Sequence, residues 1–327
     1  MVKAVALFSG GMDSALAIKL IQEQNIEVVA LNFVSPFCTC KGEDGCSVAD
    51  LGRRLGVKTE IRNKGMEYLR IVRHPKHGYG AGINPCIDCK IFILKKAKRF
   101  AREIGADFIF TGEVLGQRPM SQTGKLLGLI EREAGLKGQI VRPLSGAILD
   151  KTVAEKRGLV DRSRFLSIEG RRRNLQMDLA RKLKIDGFLC GGPGCRLTNK
   201  DYARKLKDLF RHMERISLVD VILLNYGRHF RVDNTKIIVG RNERDNNALS
   251  RLRKKGDYLF TCIGVNGPTA LLSGKKSNGN IELTAELVAR YSDSDGEFVD
   301  ISYSHGLVSG SIRVRKRDDV FFKSYWI

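Results

Sequence analysis

The stretch that most restricts the fold is Ser9-Gly10-Gly11-Met12-Asp13-Ser14, set between an apolar segment at residues 2–8 and a helical pattern at residues 14–24. Leu16, Leu20 and Ile21 step at helical spacing, and residues 27–33 return to a buried-strand pattern. A strand, a glycine turn, a helix and a second apolar strand make a parallel crossover unit. Glycines let the backbone approach an anion closely, and the unbonded N–H groups of the first helical turn hold it. Ser9 and Ser14 add hydroxyl donors. Asp13 repels phosphate and is suited instead to holding Mg²⁺ or orienting the loop. A plain glycine turn would need none of these polar residues.

The alternation continues. Residues 47–55 read as helix, 58–61 as strand, 87–104 as helix, and 107–111 and 139–144 as strands. In the long helix, Ile87, Ile91, Leu94, Ala97, Ala101 and Ile104 recur every three or four residues, with Pro85 before it and Gly105 after it, as capping prefers. The first part is therefore α/β, a parallel sheet covered on both faces. After about residue 215 the pattern becomes α+β, with strands expected at 219–224, 230–232, 236–239, 258–265, 270–272, 298–302 and 310–314 and a helix at 281–291. The expected domains are residues 1–212 and 213–327, divided after a basic helix that begins near Asp201. A chain of 327 residues suits two such domains.

Fifty-seven Lys and Arg against 36 Asp and Glu leave a net charge of +21, which points to a polyanionic partner. Lys90, Lys95, Lys96, Lys98, Arg99 and Arg102 crowd the long helix, and Arg157, Arg162, Arg164 and Arg171-Arg172-Arg173 precede residue 195; both groups are expected to meet RNA phosphates. No apolar run approaches 18 residues and the N-terminal apolar stretch is short, so neither membrane span nor signal peptide is expected. The expected location is the cytoplasm. There, clustered cysteines bind metal or do chemistry more often than they form disulfides.

Of eight cysteines, Cys86 and Cys89 open the long helix in Asn84-Pro85-Cys86-Ile87-Asp88-Cys89, and Cys195 comes after Gly191-Gly192-Pro193-Gly194. Positions i and i+3 share a helix face, and a helix start favours thiolates. Three thiolates leave one metal position open. Zinc would recruit a further ligand; a four-iron, four-sulfur cluster would leave one iron free; a metal-free pair would carry a persulfide and resolve it by thiol exchange. A structural zinc or cysteines packing a helix is the plainer reading. Cys38, Cys40 and Cys46 stand apart, for metal, catalysis or neither, as do His74 and His77 on a loop. Cys190 and Cys262 read as small core residues.

The run Ser-Gly-Gly-x-Asp-Ser after a first strand resembles the loop of the ATP pyrophosphatase (PP-loop) superfamily, and lacks the Gly-Lys-Ser/Thr of γ-phosphate-transferring loops. The resemblance implies an adenine nucleotide alpha hydrolase-like parallel-sheet domain. It also implies ATP bound by Ser9, Gly10, Gly11, Asp13 and Ser14 with Mg²⁺, adenine read near Asn32 and Phe33, and a second nucleotide-facing loop at Thr111 and Gly112. Asn-Pro-Cys-x-x-Cys with a late lone cysteine is similar to tRNA thiouridine-forming enzymes. Thr111-Gly112-Glu113-Val114-Leu115-Gly116-Gln117, Ser121-Gln122-Thr123 and Arg142-Pro143-Leu144 resemble stretches of the tRNA 4-thiouridine synthetases, over about residues 1–200. This second resemblance implies an ATP-dependent tRNA sulfurtransferase that adenylates a uridine carbonyl oxygen and replaces it with sulfur. Its site residues are Asp13, Cys86, Cys89 and Cys195, the three cysteines holding a 4Fe-4S cluster, with zinc as the alternative. Its partners are tRNA and a sulfur donor, sulfide or a persulfide-carrying protein, and no membrane; assembly into an oligomer is compatible with it. The alternatives are thiolation by a persulfide without a cluster, or a PP-loop enzyme that amidates or inserts sulfur into a small molecule beside a structural zinc. The related enzymes carry an RNA-binding module ahead of the ATP loop; with that loop at residue 9, the module is expected to be missing and the tRNA to be aligned by other parts of the chain.

In the second domain, Ile238-Val239-Gly240-Arg241-Asn242-Glu243-Arg244-Asp245-Asn246-Asn247 resembles the start of the RNA-binding domain of fibronectin-binding-like ribosome quality-control proteins. Asp257-Tyr258-Leu259-Phe260, Gly267-Pro268 and the helix around residues 285–289 fit the same pattern, while Thr261 and Val265 lie where that family carries histidines.

Overall fold

The computed structural model describes residues 1–38, 41–42, 45–188, 194–275 and 277–327. The chain forms two compact units, Met1–Asn199 and Lys200–Ile327.

In the first unit the strands are β1 (Lys3–Leu7), β2 (Glu27–Val34), β3 (Lys41–Gly42), β4 (Gly45–Cys46), β5 (Lys58–Asn63), β6 (Phe108–Thr111) and β7 (Ile140–Val141). Five of them form one sheet in the order β5-β2-β1-β6-β7, every neighbour parallel, while β3 and β4 pair as a two-stranded ribbon. Val5 pairs with Val29 on one side and Ile109 on the other. Because side chains alternate along a strand, the sheet feeds two cores. Ala4, Ala6, Val28, Ala30, Phe108 and Phe110 pack with α1 (Met12–Gln22) and α2 (Ser47–Arg54). Val5, Val29, Leu31 and Ile109 pack against Ile91, Leu94, Ala97 and Ala101 of α4 (Cys86–Glu103) and Ile130 of α5 (Gly124–Ala134). The expected α/β layer order is the observed one. β1 lies between β2 and β6 with all three parallel, so their C-terminal ends lie side by side, on the edge where ligands bind in parallel sheets. Three further helices, α3 (Gly65–Arg73), α6 (Val153–Lys156) and α7 (Asn174–Lys182), complete the unit.

The second unit starts earlier than residue 213. Helix α8 (Lys200–His212) buries Tyr202, Ala203, Leu206 and Leu209, and its Tyr202 hydroxyl donates to the Val221 carbonyl at 3.3 Å. Asp208 of the same helix accepts from Arg231 at 2.6 Å. The basic helix expected to close the first domain is therefore part of the second unit, because its apolar face lies there. Residues 219–224, expected as a strand, form helix α9 (Leu218–Leu223). Ser217 and Asp220 make a capping box at its start, and that local pairing outweighs the strand preference of a Val- and Ile-rich run. After it come β8 (Arg228–Val232), β9 (Thr235–Val239), α10 (Glu243–Leu252), β10 (Tyr258–Cys262), β11 (Ala270–Ser273), α11 (Asn278–Arg290), β12 (Phe298–His305) and β13 (Val308–Arg315). Their sheet is antiparallel, in the order β13-β12-β10-β11-β9-β8. Phe230, Ile237, Val239 and Leu272 face α11 in the larger core, while Ile238 and Leu271 turn to Leu223 and Leu249 of α9 and α10.

The polar residues of the 238–247 run serve this architecture. The Asn242 side chain caps α10, Asp245 accepts from Arg241 at 2.6 Å, and Asn246 accepts from the Thr269 N–H at 2.9 Å. A Cβ on Gly240 would lie 2.0 Å from the Asn246 side-chain oxygen, so a larger residue there must push that oxygen off the Thr269 N–H. Among the described residues no helix is long and apolar enough to cross a membrane.

Candidate functional site

The loop between β1 and α1 has the geometry of an anion cradle. Gly10 takes a left-handed φ of 77°, which turns the chain at little cost only for glycine. Gly11 is the N-cap of α1 and no side chain caps the helix, so its first N–H groups keep their donor capacity. The Ser14 hydroxyl donates to the Gly11 carbonyl at 2.8 Å and lies 3.3 Å from the Ser9 hydroxyl. A cavity of about 460 Å³ opens over this loop. Ser9, Gly11, Asp13, Ser14, Asn32, Phe33, Thr111 and Gly112 all line it. Gly10 shapes the turn without lining the wall.

Its lining is mixed. Leu31, Phe33, Ile93, Leu94 and Met177 make an apolar slot, while Lys90, Arg118 and Arg173 bring positive charge. Asn32 donates to the Phe8 carbonyl at 2.7 Å, and its buried Oδ1 has no partner among the described residues. Such a slot with one unspent polar atom suits a heterocyclic base. The Asp13 carboxylate is half used: Oδ2 accepts from Gln117 Nε2 at 2.7 Å, while the buried Oδ1 has no partner among the described residues. Gln176, fully buried on α7, donates to Gln117 Oε1 at 3.1 Å. The chain Gln176–Gln117–Asp13 fixes which oxygen is free. A hard, unshared carboxylate oxygen beside a phosphate cradle fits Mg²⁺ by donor chemistry.

On the cavity wall, Glu113 pairs with Lys90 and, on its inner side, with Arg142, whose Nε donates at 3.0 Å. Burial alone would push this carboxyl up; the Lys90 ammonium and the Arg142 guanidinium more than offset that and hold it at about 2. The ion pairs therefore stabilise the fold fully above about pH 4.5, where an unfolded glutamate is also ionised. As pH falls from there towards 2, the unfolded chain takes up the proton first and the stability drains away. Urea unfolding should show this acid limb in the wild type and a flatter one between pH 4.5 and 2 in Glu113→Gln. An unchanged limb would assign the acid sensitivity to another group.

The thiols gather beside this cavity. Cys86 and Cys89 occupy the first turn of α4. Lys64 Nζ donates to Cys89 Sγ at 3.2 Å and stands over the Tyr68 ring, 4.3 Å from its centroid. The Tyr68 hydroxyl also bonds Cys89, and burial together with the neighbouring Cys89 sulfur raises Tyr68 far above the usual tyrosine range. Burial alone would lower the Lys64 ammonium, but Cys89, Cys38 and Cys195 raise it further. Burial pushes the Cys195 thiol up to about 11, and burial with the neighbouring Cys89 raises Cys86. Lys90 and Arg118, both on the cavity wall, act on Cys86 in the opposite sense and offset part of that rise. The structure thus brings Cys38, Cys89 and Cys195 around Lys64, with Cys86 next to Cys89. Among the described residues, no three His, Cys, Asp or Glu side chains are already arranged to hold a metal ion. The donor set, several thiols and no carboxylate, nevertheless fits a soft metal or an iron–sulfur cluster.

Other expectations sort themselves by contact. His77 bridges Asp88 and Glu133, at 3.0 Å from each, and ties its loop to α4 and α5. Arg162 donates to Glu155 and to the Ala147 and Leu149 carbonyls, and Arg164 to the Glu23 carbonyl, so both are bound up in the fold. Arg171 and Arg172 are exposed. Cys262 is half-buried in β10, and burial pushes it up to about 11. Cys40, Cys190 and residues 191–193 lie outside the described residues, as does the side chain of Cys46. Lys64, Tyr68 and Gln176 escape sequence reading because each acts on a partner far along the chain. Only the Gln117 of the Gly-Gln step carried a signal.

The first 159 residues match the family model described as thiamine biosynthesis protein (ThiI), and residues 227–325 match that of the NFACT protein RNA binding domain. A probable tRNA sulfurtransferase of Thermococcus kodakarensis is 31% identical over 159 residues, covering 46% of this chain and 38% of the relative. The tRNA-specific 2-thiouridylase MnmA of Pelobacter propionicus is 28% identical over 116 residues, 34% of this chain and 33% of the relative. The chain thus spans between a third and two-fifths of the length of these curated relatives. Among solved structures, the U34-tRNA thiolase NcsA from Methanococcus maripaludis with its 4Fe-4S cluster is 16% identical, with a TM-score of 0.36, over 68% of this chain and 73% of that one.

Proposed function

We propose that this chain, which joins a ThiI-type segment to an NFACT-type RNA binding domain, is an ATP-dependent tRNA uridine sulfurtransferase. One observation carries the reading: Lys90 and Arg118 line the nucleotide cavity and also act on Cys86, so the thiols adjoin the place where an activated base would form.

The loop from Ser9 to Ser14 holds the ATP phosphates, and Asp13 Oδ1 would hold Mg²⁺, which when bound would neutralise phosphate charge. Asn32 and Phe33 seat the adenine. A uridine carbonyl oxygen attacks the α-phosphate and pyrophosphate leaves, with Lys90, Arg118 and Arg173 offsetting the charge that develops. The base then carries AMP as a good leaving group, which sulfur displaces. Cys86, Cys89 and Cys195 would hold a 4Fe-4S cluster, which supplies when bound an iron free of cysteine to carry sulfide. Lys64 and Tyr68 orient the Cys89 sulfur. The second unit, with the exposed Arg171 and Arg172, supplies tRNA contacts, and the reaction belongs in the cytoplasm, where thiols stay reduced.

The test is tRNA-dependent ATP–pyrophosphate exchange, with nucleoside mass spectrometry of the product. Exchange without tRNA, on a small amide or carboxylate, would replace this reading with small-molecule chemistry. Binding should also be steeply salt-dependent. With about four phosphate contacts, raising salt from 50 to 200 mM weakens tRNA binding on the order of a hundredfold. Affinity that ignores salt in a filter-binding assay would remove the phosphate contacts from the proposal.

A further inference from the structure

We propose that the exposed face of α8 is a docking surface for the phosphate backbone of a paired RNA arm, contacted by Lys200, Arg204, Lys207 and Arg211. The inference deepens the sulfurtransferase reading and rests on it only for the identity of the RNA, a tRNA. Helix α8 lies in neither of the segments that the two family models match.

The sequence of α8 sorts its residues onto two faces. Tyr202, Ala203, Leu206 and Leu209 are buried in the second unit, whereas Lys200, Arg204, Lys207 and Arg211 are exposed. These cations step by four, three and four residues, so they share one stripe. At a rise of about 1.5 Å per residue the stripe runs about 16 Å. Arg204 shares its charge with Asp201, at 3.5 Å. Lys200, Lys207 and Arg211 have no side-chain ion pair or hydrogen bond among the described residues. The other acid of the helix, Asp208, is half-buried and already paired with Arg231 at 2.6 Å and His212 at 3.1 Å.

Solvation alone does not produce such a face. An exposed helix face normally alternates its signs so that neighbours attract. Here Lys200 and Arg204, Arg204 and Lys207, and Lys207 and Arg211 are like-charged neighbours, each pair destabilising the helix. Lys200 is also the first residue of α8, where the helix dipole disfavours a cation. The positive field extends sideways as well. Lys205, half-buried on the same helix, donates to the Gly227 carbonyl at 3.5 Å, and burial followed by the Arg241 guanidinium lowers its ammonium from the ordinary value.

A polyanion relieves this crowding, and its binding releases counterions. A lipid surface does not fit, because the apolar face that would enter it is buried in the unit, whereas helices that lie on membranes keep that face free. Unpaired RNA fits less well than paired RNA. Single-strand binding draws on exposed aromatic side chains that stack on bases, and the stripe has none. A duplex presents its backbone, which a straight row of cations can follow.

The test is filter binding by the full chain without ATP, using an unmodified tRNA transcript and a plain RNA duplex. The variant replaces the three unpaired cations together, Lys200→Gln, Lys207→Gln and Arg211→Gln, with a residue that keeps helix propensity. Its affinity for both RNAs at about 100 mM salt should fall by at least about a hundredfold. The slope of log affinity against log salt should become shallower by about three. Removing three exposed cations elsewhere in the unit, Arg313→Gln, Arg315→Gln and Lys323→Gln, should cost less than about tenfold. Equal losses in the two variants would reduce the effect to net charge and overturn the proposal. So would an oligouridine of equal phosphate number that competes better than the duplex, or anionic vesicles that displace the tRNA. Stripe-dependent tRNA binding by protein that forms no thiouridine would sink the sulfurtransferase reading and leave the surface standing. Thiolation with unchanged tRNA affinity in the α8 variant would do the reverse.

Discussion

Anaerobically purified Cys195→Ser protein should make no thiouridine yet still release pyrophosphate from ATP when tRNA is present. On the proposed mechanism the two halves of the reaction use different side chains. Ser9, Asp13, Ser14, Asn32 and Thr111 line the nucleotide cavity, whereas Cys89 and Cys195 do not; they sit around Lys64 instead. Loss of the sulfur-carrying group removes the second step and leaves the first. Thiolation should fall by at least about a thousandfold, or about 4 kcal/mol of barrier, with pyrophosphate release within about twofold of wild type. Cys89→Ser should behave alike, since Lys64 and Tyr68 then lose the sulfur they orient. Iron and sulfide analysis of the same preparations separates the routes for sulfur. Cluster content that falls with activity supports an iron-borne sulfide. Colourless, metal-free and fully active wild-type protein would sink the cluster and leave the persulfide route. Full thiolation by Cys195→Ser would remove this cysteine from the mechanism altogether.

What the sequence made legible is what neighbouring residues decide. The loop at residues 9–14, the Cys-x-x-Cys helix start and the Thr-Gly-Glu step are each written in consecutive positions, and each lies where the spacing expected it. Parallel order was legible too, because a strand buried on both faces reads as a continuous apolar run. Contacts between distant segments were not. Gln176 is 59 positions from Gln117, and Gln117 is 104 from Asp13; nothing local marks them as one chain of hydrogen bonds. Cys38 sits in a cysteine-rich stretch, and nothing local marks its bridge to Cys195. The same physics explains the two differences in the second unit. A Val- and Ile-rich run became α9 because Ser217 and Asp220 cap each other, and α8 fell to the second unit because Tyr202 and Leu206 are buried there.

Gly112→Ala should nearly abolish nucleotide binding, although the residue makes no contact through a side chain. A Cβ at this position would lie 2.4 Å from the Asp13 carbonyl oxygen, 2.5 Å from its carbon and 2.6 Å from the Ser14 Cα. These are backbone atoms of the first turn of α1, so no rotamer change can relieve the clash. Either the end of β6 moves off the phosphate loop or the loop moves, carrying with it the Asp13 oxygen that has no partner among the described residues. Overpacking of this kind costs about 1–3 kcal/mol of stability. The larger loss should be in ATP affinity, at least about a hundredfold, or about 2.7 kcal/mol, because the cradle depends on backbone positions. Gly128→Ala is the matched control. It lies inside α5, with Arg132 Nη1 4.0 Å from the added carbon, and should leave ATP affinity unchanged while raising stability by about 1 kcal/mol. Calorimetric ATP titration and urea unfolding of both variants give the contrast. If Gly112→Ala binds ATP as tightly as Gly128→Ala, the close approach of β6 to α1 does not shape the site.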